Sequence, residues 1–194
     1  CAQIDERRIR IYASMLLGRI ALLRGEYARA QQWLDEALDL SQQLHDKLSH
    51  SDLLCHLGLL DMIQGELGQA LIHLEKSLAV AEEIGSSNTG AVKTYLGIVW
   101  QRQGEWDRAT HLLRDGLAAA RTLGQQAEVA ECLHQMGILA YAQRMEHQAE
   151  QFLHEALTIW QELDNEPMAA AVYNSLGDVM FSAGESRVGE AGHF

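Results

Sequence analysis

One phrase returns along the chain at an almost fixed interval, and it constrains the fold more than any other feature. Its leading glycines are Gly18, Gly58, Gly97, Gly137 and Gly177, separated by 40, 39, 40 and 40 residues. A second glycine follows seven residues later at Gly25, Gly65, Gly104 and Gly184, with Arg144 in its place once. An alanine stands twelve after the first glycine at Ala30, Ala70, Ala109 and Ala149, and a small residue recurs at Ala37, Ser77, Gly116 and Ala156. Self-similarity at a fixed period is the mark of a chain built by stacking one supersecondary unit. The period decides the architecture and leaves the ligand open.

Each unit reads as a helical hairpin. Before the second glycine the apolar residues fall at helical spacing, as in Leu53, Leu54, Leu57, Leu60 and Met62. They do so again after it, as in Leu67, Ala70, Leu71, Leu74, Leu78 and Ala81. The second glycine suits the left-handed cap that ends the first helix. The first glycine and the alanine belong where two helices approach closely, which offsets the helical cost of glycine, roughly 1 kcal/mol.

The helices are expected at about 5–24 and 27–45, 48–64 and 67–84, 88–103 and 106–123, 127–143 and 146–163, and 167–183. The repeats then cover 8–47, 48–86, 87–126, 127–166 and 167–184. In the first helix Ile9, Ile11, Leu16, Leu17, Ile20 and Leu23 are expected to face inward, and Trp33 and Leu34 to pack from its partner. The basic start at Arg7, Arg8 and Arg10 reads as a solvated face or a join to a preceding repeat. The run Arg144-Met145-Glu146-His147 makes the least secure turn, and Pro167 fits the first turn of the last helix. Beyond Gly184 the repeat pattern stops, with Gly189 where alanine is due, so residues 185–194 read as a frayed or non-native tail. An unpaired last helix leaves apolar surface exposed, which predicts either end-to-end self-association or a role for that helix as a solvating cap.

Composition bounds the function. With 47% hydrophobic residues and one proline, the chain can bury a continuous all-α core. No run of about 20 uncharged apolar residues is present, so no membrane span is expected. The chain opens on Cys1 and stops inside a fifth repeat, so it reads as a piece of a larger protein. Cys1, Cys55 and Cys132 are far apart, and no Cys-x-x-Cys occurs; buried inert thiols in a reducing cytoplasm fit best. A net charge of −12 repels a phosphate backbone, which argues against nucleic-acid binding by this segment.

The motif Leu-Gly, then Gly-x-aromatic, then Ala resembles the tetratricopeptide repeat. Gly25-Glu26-Tyr27-Ala28-Arg29-Ala30 and Gly104-Glu105-Trp106-Asp107-Arg108-Ala109 carry the resemblance most clearly. The period of about 40 departs from the family's 34, so each helix is expected to be longer by up to a turn. The family's early tryptophan is replaced by Ser14, Leu54, Lys93, Leu133 and Tyr173. The longer unit is similar to the sensor repeats of MalT-type activators and related bacterial signalling NTPases, and to animal cell-polarity scaffolds. Leu34-Asp35-Glu36-Ala37-Leu38 and Glu155-Ala156-Leu157 lean toward the bacterial sensors. The resemblance implies an α-solenoid of about four and a half hairpins, wound as a right-handed superhelix with the first helices on its concave face.

In that family the groove is lined by residues three before, one after, and four to five after the first glycine. The matching positions are Met15, Arg19, Leu22 and Leu23; Cys55, Leu59, Met62 and Ile63; and Thr94, Ile98, Gln101 and Arg102. They continue with His134, Ile138, Tyr141 and Ala142, and with Asn174, Asp178, Phe181 and Ser182. This wall suits an amphipathic helix or peptide, or a small ligand with an apolar face. The same wall equally serves to pack neighbouring hairpins. The Lys and Asn clamp of the chaperone-binding branch is missing, because its positions hold Met15/Arg19, Cys55/Leu59, Thr94/Ile98, His134/Ile138 and Asn174/Asp178.

Nine histidines raise a metal question, but no His-x-x-x-His pair occurs. His147/His154 and His50/His56 supply two groups each where a site needs three or four, so neither metal nor cofactor is expected. No nucleophile elbow, phosphate loop or His-Glu-x-x-His motif is present, so the chain is not read as an enzyme. The expected function is a protein- or peptide-binding sensor or scaffold module of a larger bacterial signalling protein, with the partner in the groove. The alternatives are a small-molecule effector receptor of a transcription activator and a pure assembly element. For groove binding, Tyr141→Ala and Met62→Ala are expected to weaken the ligand and spare helicity.

Overall fold

The structure, a computed structural model, describes residues 2–191, with side chains from 5 to 182. Cys1 and residues 192–194 lie outside the described residues. Among the described residues there are nine α-helices and no strand. They are α1 (Ala2–Leu23), α2 (Tyr27–Gln43), α3 (Lys47–Gln64), α4 (Leu67–Ile84) and α5 (Thr89–Arg102), followed by α6 (Trp106–Leu123), α7 (Gln126–Ala142), α8 (Glu146–Glu162) and α9 (Glu166–Ala191). Odd-numbered helices lead each repeat and even-numbered helices trail. The fold is an all-α helical repeat.

The chain divides into two compact units, one ending at Val99 and the other beginning at Trp100. In the first, α1 pairs with α2 and α3 with α4, while α2 also packs on α3. In the second, α7 pairs with α8, α6 packs on α7, and α8 packs on α9. The leading helices α3 and α7 are thus each held by their own trailing helix and by the one before it.

The hairpin turns use the left-handed conformation, at Gly25, Gly65, Gly104 and Arg144 within hairpins. The links between hairpins use it as well, at His45, Gly85, Gly124 and Asp164. Arg144, with φ 62°, makes the turn that glycine makes elsewhere, so the departure from the motif leaves the hairpin intact. Asp46 caps α3 by accepting from the Ser49 backbone amide at 3.2 Å, and the Asn165 side chain does the same for Met168 at the start of α9 at 3.3 Å.

The leading glycines stand at the helix crossings. A Cβ placed on Gly58 would lie 2.6 Å from Leu74 Cγ, one on Gly137 2.6 Å from Leu153 Cγ, and one on Gly18 2.8 Å from Leu34 Cγ. The three leucines are fully buried, as are Ala30, Ala70 and Ala149 beneath them. In the first unit a polar clasp joins the same pair of helices: Ser51 Oγ donates to the Ser77 carbonyl at 3.0 Å and Ser77 Oγ to the Ser51 carbonyl at 2.8 Å.

Three expectations are corrected. In α1 the inward residues are Ile11, Ser14, Gly18 and Ala21, whereas Ile9, Leu16, Leu17, Ile20 and Leu23 are exposed. α1 packs on α2 and touches α3, with no trailing helix before it; in α3 the equivalents of Leu17 and Ile20, Leu57 and Leu60, are buried with α2 packed on that helix. Trp33 is exposed rather than packed, on the same open side. The last helix does not stop at 183: its backbone stays helical through Gly184 and Gly189 to Ala191. Glycine ends a helix where it turns left-handed, and here it continues instead.

Candidate ligand-binding face

The four offsets named for a groove on the leading helices differ in access. The side chains three before the glycine are buried in the middle repeats, at Cys55, Thr94 and His134. Met15 is half-buried and Asn174 exposed at the two ends of the series. One after the glycine, Leu59, Ile98 and Ile138 are half-buried, flanked by exposed Arg19 and Asp178. Four after, Leu22, Gln101 and Tyr141 are half-buried, Met62 is buried and Phe181 exposed. Five after, Leu23, Ile63, Arg102 and Ala142 are exposed and Ser182 is half-buried. Met62 therefore cannot be cut to alanine without opening the core. Within each unit the accessible positions are those one and five after the glycine, with Leu22, Gln101, Tyr141 and Phe181 among those four after.

The first unit adds a polar group that the family offsets do not pick out. Asp52 on α3 accepts a hydrogen bond from the Asn88 side-chain amide. His56 Nδ1 donates to the Asp52 carbonyl at 2.7 Å, which leaves Nε2 as an acceptor. Arg19 of α1 lies close enough to act on both charges. Burial raises the Asp52 carboxyl above its ordinary range, opposed by His56, Asn88 and Arg19. Burial lowers the His56 imidazole and pushes the Cys55 thiol up to about 12, so Cys55 is an inert thiol. The Asn88 Oδ1 is buried without a partner. The pair Asp52 and His56, one helical turn apart, is the sequence signal for this group.

In the second unit His134 Nε2 donates to Ser175 Oγ at 2.9 Å, and that hydroxyl donates to the Ala171 carbonyl. The bond ties α7 to α9 across adjacent leading helices. It leaves His134 Nδ1 buried as an acceptor without a partner, and burial lowers the imidazole below its ordinary value. Beside this hairpin, α6, α7 and α8 line an open hollow of about 230 Å³ with Arg114, Met136, Leu139 and Phe152 on its walls. That is below the few hundred Å³ that hold a drug-sized molecule.

The first unit thus presents half-exposed Leu59 and Ile98 together with an arginine and amide, imidazole and carboxylate groups. Among the described residues no three His, Cys, Asp or Glu side chains converge as a metal-ligand group. Among them, too, no helix is long and apolar enough to cross a membrane.

Comparison with known proteins places this geometry. A human protein, "SH3 domain and tetratricopeptide repeat-containing protein 2", is 25% identical over 164 residues, which cover 84% of this chain and 13% of that protein. The chain thus spans about one eighth of the length of this curated relative. BtubC (BKLC) from P. vanneervenii superposes with a TM-score of 0.75 at 23% identity, over 97% of this chain and 83% of that one. A Signal Transduction ATPase with Numerous Domains with a tetratricopeptide repeat sensor, from Pyrococcus horikoshii, superposes at 0.68 with 13% identity, over 89% and 26%. The tetratricopeptide repeat description matches residues 10–83, 49–122 and 129–163, segments that together cover most of the sequence. Repeats of this kind serve generally as protein-interaction modules rather than catalysts. The extended 40-residue period, the glycine crossings and these matches agree, and the chain belongs to the tetratricopeptide repeat family.

Proposed function

We propose that this chain is the peptide- or protein-binding sensor or scaffold part of a larger, cytoplasmic, bacterial signalling protein, and that its repeats act as one domain. The repeat register supports the single domain, since it runs unbroken through α5, which carries residues of both units. The observation that carries the binding reading is the register one after the glycine, where Leu59 and Ile98 in the first unit and Ile138 in the second are half-exposed while the positions three before the glycine, Cys55, Thr94 and His134, are buried. Within the first unit Leu59 and Ile98 offer an amphipathic partner alternate anchors, with Arg19 as a polar group; within the second, Tyr141, Asn174 and Asp178 accompany Ile138. The sensor named in the Pyrococcus protein supports the signalling context.

The test is selection of peptides from a random library on the immobilised chain. Selected peptides are expected to lose at least tenfold in affinity, about 1.4 kcal/mol, on Leu59→Glu or Ile138→Glu, with the thermal melt unchanged. Tyr141→Ala is expected to weaken the peptides that reach the second unit. Peptides indifferent to all three substitutions would move the site off the leading helices.

A further inference from the structure

At Asp52 the chain carries two costs that its fold does not require. One is a half-buried carboxyl group, whose charged form burial disfavours. The other falls on Asn88. Its amide nitrogen donates to Asp52 Oδ1, while its own Oδ1 is buried without a partner. A buried carbonyl left unpaired lowers stability. The orientation of the amide suits an ionised Asp52, which can only accept.

The repeat does without this pair elsewhere. Six before the leading glycine, where Asp52 stands, the other repeats have Tyr12, Ala91, Glu131 and Ala171. Nine before it, where Asn88 stands, they have Ile9, Ser49, Glu128 and Met168. A tie between α3 and the link before α5 needs no charge, since two neutral groups would make it with a smaller loss of hydration. Chains depart from such rules where function requires the group.

The surroundings set the sign of the ligand. Asp52, His56, Leu59 and Ile63 are four, three and four residues apart, a spacing that shares one face of α3. The first three are half-buried and Ile63 is exposed. His56 Nδ1 is taken by the Asp52 carbonyl, so Nε2 is left to accept, and burial favours the neutral ring. Asp46 adds a second negative charge near Asp52. Leu59 lies about 10 Å along the helix from Asp52, at 1.5 Å per residue, within reach of one short peptide. Exposed Arg19 acts on Asp52 through its charge and not through a hydrogen bond.

We propose that Asp52 receives a basic side chain, lysine or arginine, of a peptide whose apolar side chain lies on Leu59, with His56 Nε2 as a second acceptor. This rests on the peptide-binding reading above and adds the charge of the ligand. Arg19 then competes with the ligand for the carboxylate.

The probes are fluorescein-labelled peptides selected from a random library on the intact chain. They are expected to carry a lysine or arginine together with an apolar residue. Fluorescence anisotropy should show binding at least tenfold weaker on Asp52→Asn, and equally weaker when norleucine replaces the basic residue of the peptide. The two losses should not add, so the norleucine peptide should bind both chains alike. Asp52→Asn keeps the size of the side chain, and the norleucine change leaves the protein untouched, so misfolding does not reproduce this pattern. Arg19→Gln should tighten the basic peptides about threefold. Selected peptides without a basic residue, losses that add, or weaker binding on Arg19→Gln would each overturn the proposal. Peptides that respond to Leu59→Glu but not to Asp52→Asn overturn the charge assignment and keep the Leu59 anchor. Peptides indifferent to both overturn the charge assignment and the Leu59 anchor together.

Discussion

The α7/α8 hairpin and the unpaired leading helix α9 carry the same glycine at the same register, in opposite surroundings. A Cβ on Gly137 would meet Leu153 at 2.6 Å, whereas one on Gly177 would meet nothing within 4 Å. Both glycines cost their helices about 1 kcal/mol relative to alanine. On α7 the cost is offset by the approach of α8, which buries Leu153 completely. On α9 nothing offsets it. The residue therefore reports on the helix that the repeat expects to cross it, and the same letter is a packing requirement in one place and a mild defect in the other.

The largest effect should come from removing the knob that fills the crossing. Leu153→Ala is expected to cost about 2–5 kcal/mol in urea unfolding. Adding Gly137→Ala to it should cost less than the two single losses together, because the new methyl enters the space the leucine left. Strict additivity would show that the two residues do not share that space.

Next come the glycines alone. Gly58→Ala and Gly137→Ala are expected to lose about 1–3 kcal/mol by overpacking, while Gly177→Ala gains up to about 1 kcal/mol. Melts that shift in the same direction for Gly137→Ala and Gly177→Ala would break the comparison.

The α7/α8 turn offers a smaller and opposite change. Arg144 holds φ 62°, a left-handed conformation that costs an ordinary residue about 1–2 kcal/mol. Arg144→Gly is expected to raise stability by up to about 1 kcal/mol, less the added freedom of the unfolded chain. Gly104→Ala, at the corresponding turn, should lower it.

The smallest effect is a slope with pH. Burial lowers the His134 and His56 imidazoles below their ordinary value of 6.5. The unfolded chain then binds protons that the folded chain does not. The stability these histidines contribute is complete above pH 6.5 and is lost as pH falls through their lowered values. His134→Gln keeps a donor for Ser175 and is expected to flatten the fall in melting temperature between neutral and acid pH. An unchanged slope would remove His134 from the account.

The helices and their turns were legible because the cause is local and repeated. Gly18, Gly58 and Gly137 each meet the leucine sixteen residues on, and the left-handed turns fall seven and twenty-seven residues after the leading glycine in each hairpin. The face of α1 was not legible. Ile9, Leu16, Leu17, Ile20 and Leu23 have the spacing of a buried stripe, and only the absence of a trailing helix against them leaves them exposed. Trp33 was misplaced for the same reason. At the groove offsets the sequence did not show access, which tertiary packing sets: Cys55, Thr94 and His134 are buried, whereas Leu59, Ile98 and Ile138 are half-open. The Asp52, His56, Asn88 and Arg19 group was missed because its members come from two helices, α1 and α3, and the link before α5, and only the Asp52 and His56 spacing is local. The extended end of α9 carries no signal before Ala191, since Gly184 is a stop only when a following helix turns back.

The central claim is that ligands bind on the leading helices. Hydrogen–deuterium exchange of the intact chain, with and without a peptide selected on it, tests this most directly, because bound segments exchange more slowly. The account predicts slowed exchange in α3, α5 and α7 with the trailing helices α4, α6 and α8 unchanged. Protection confined to the trailing helices would contradict it.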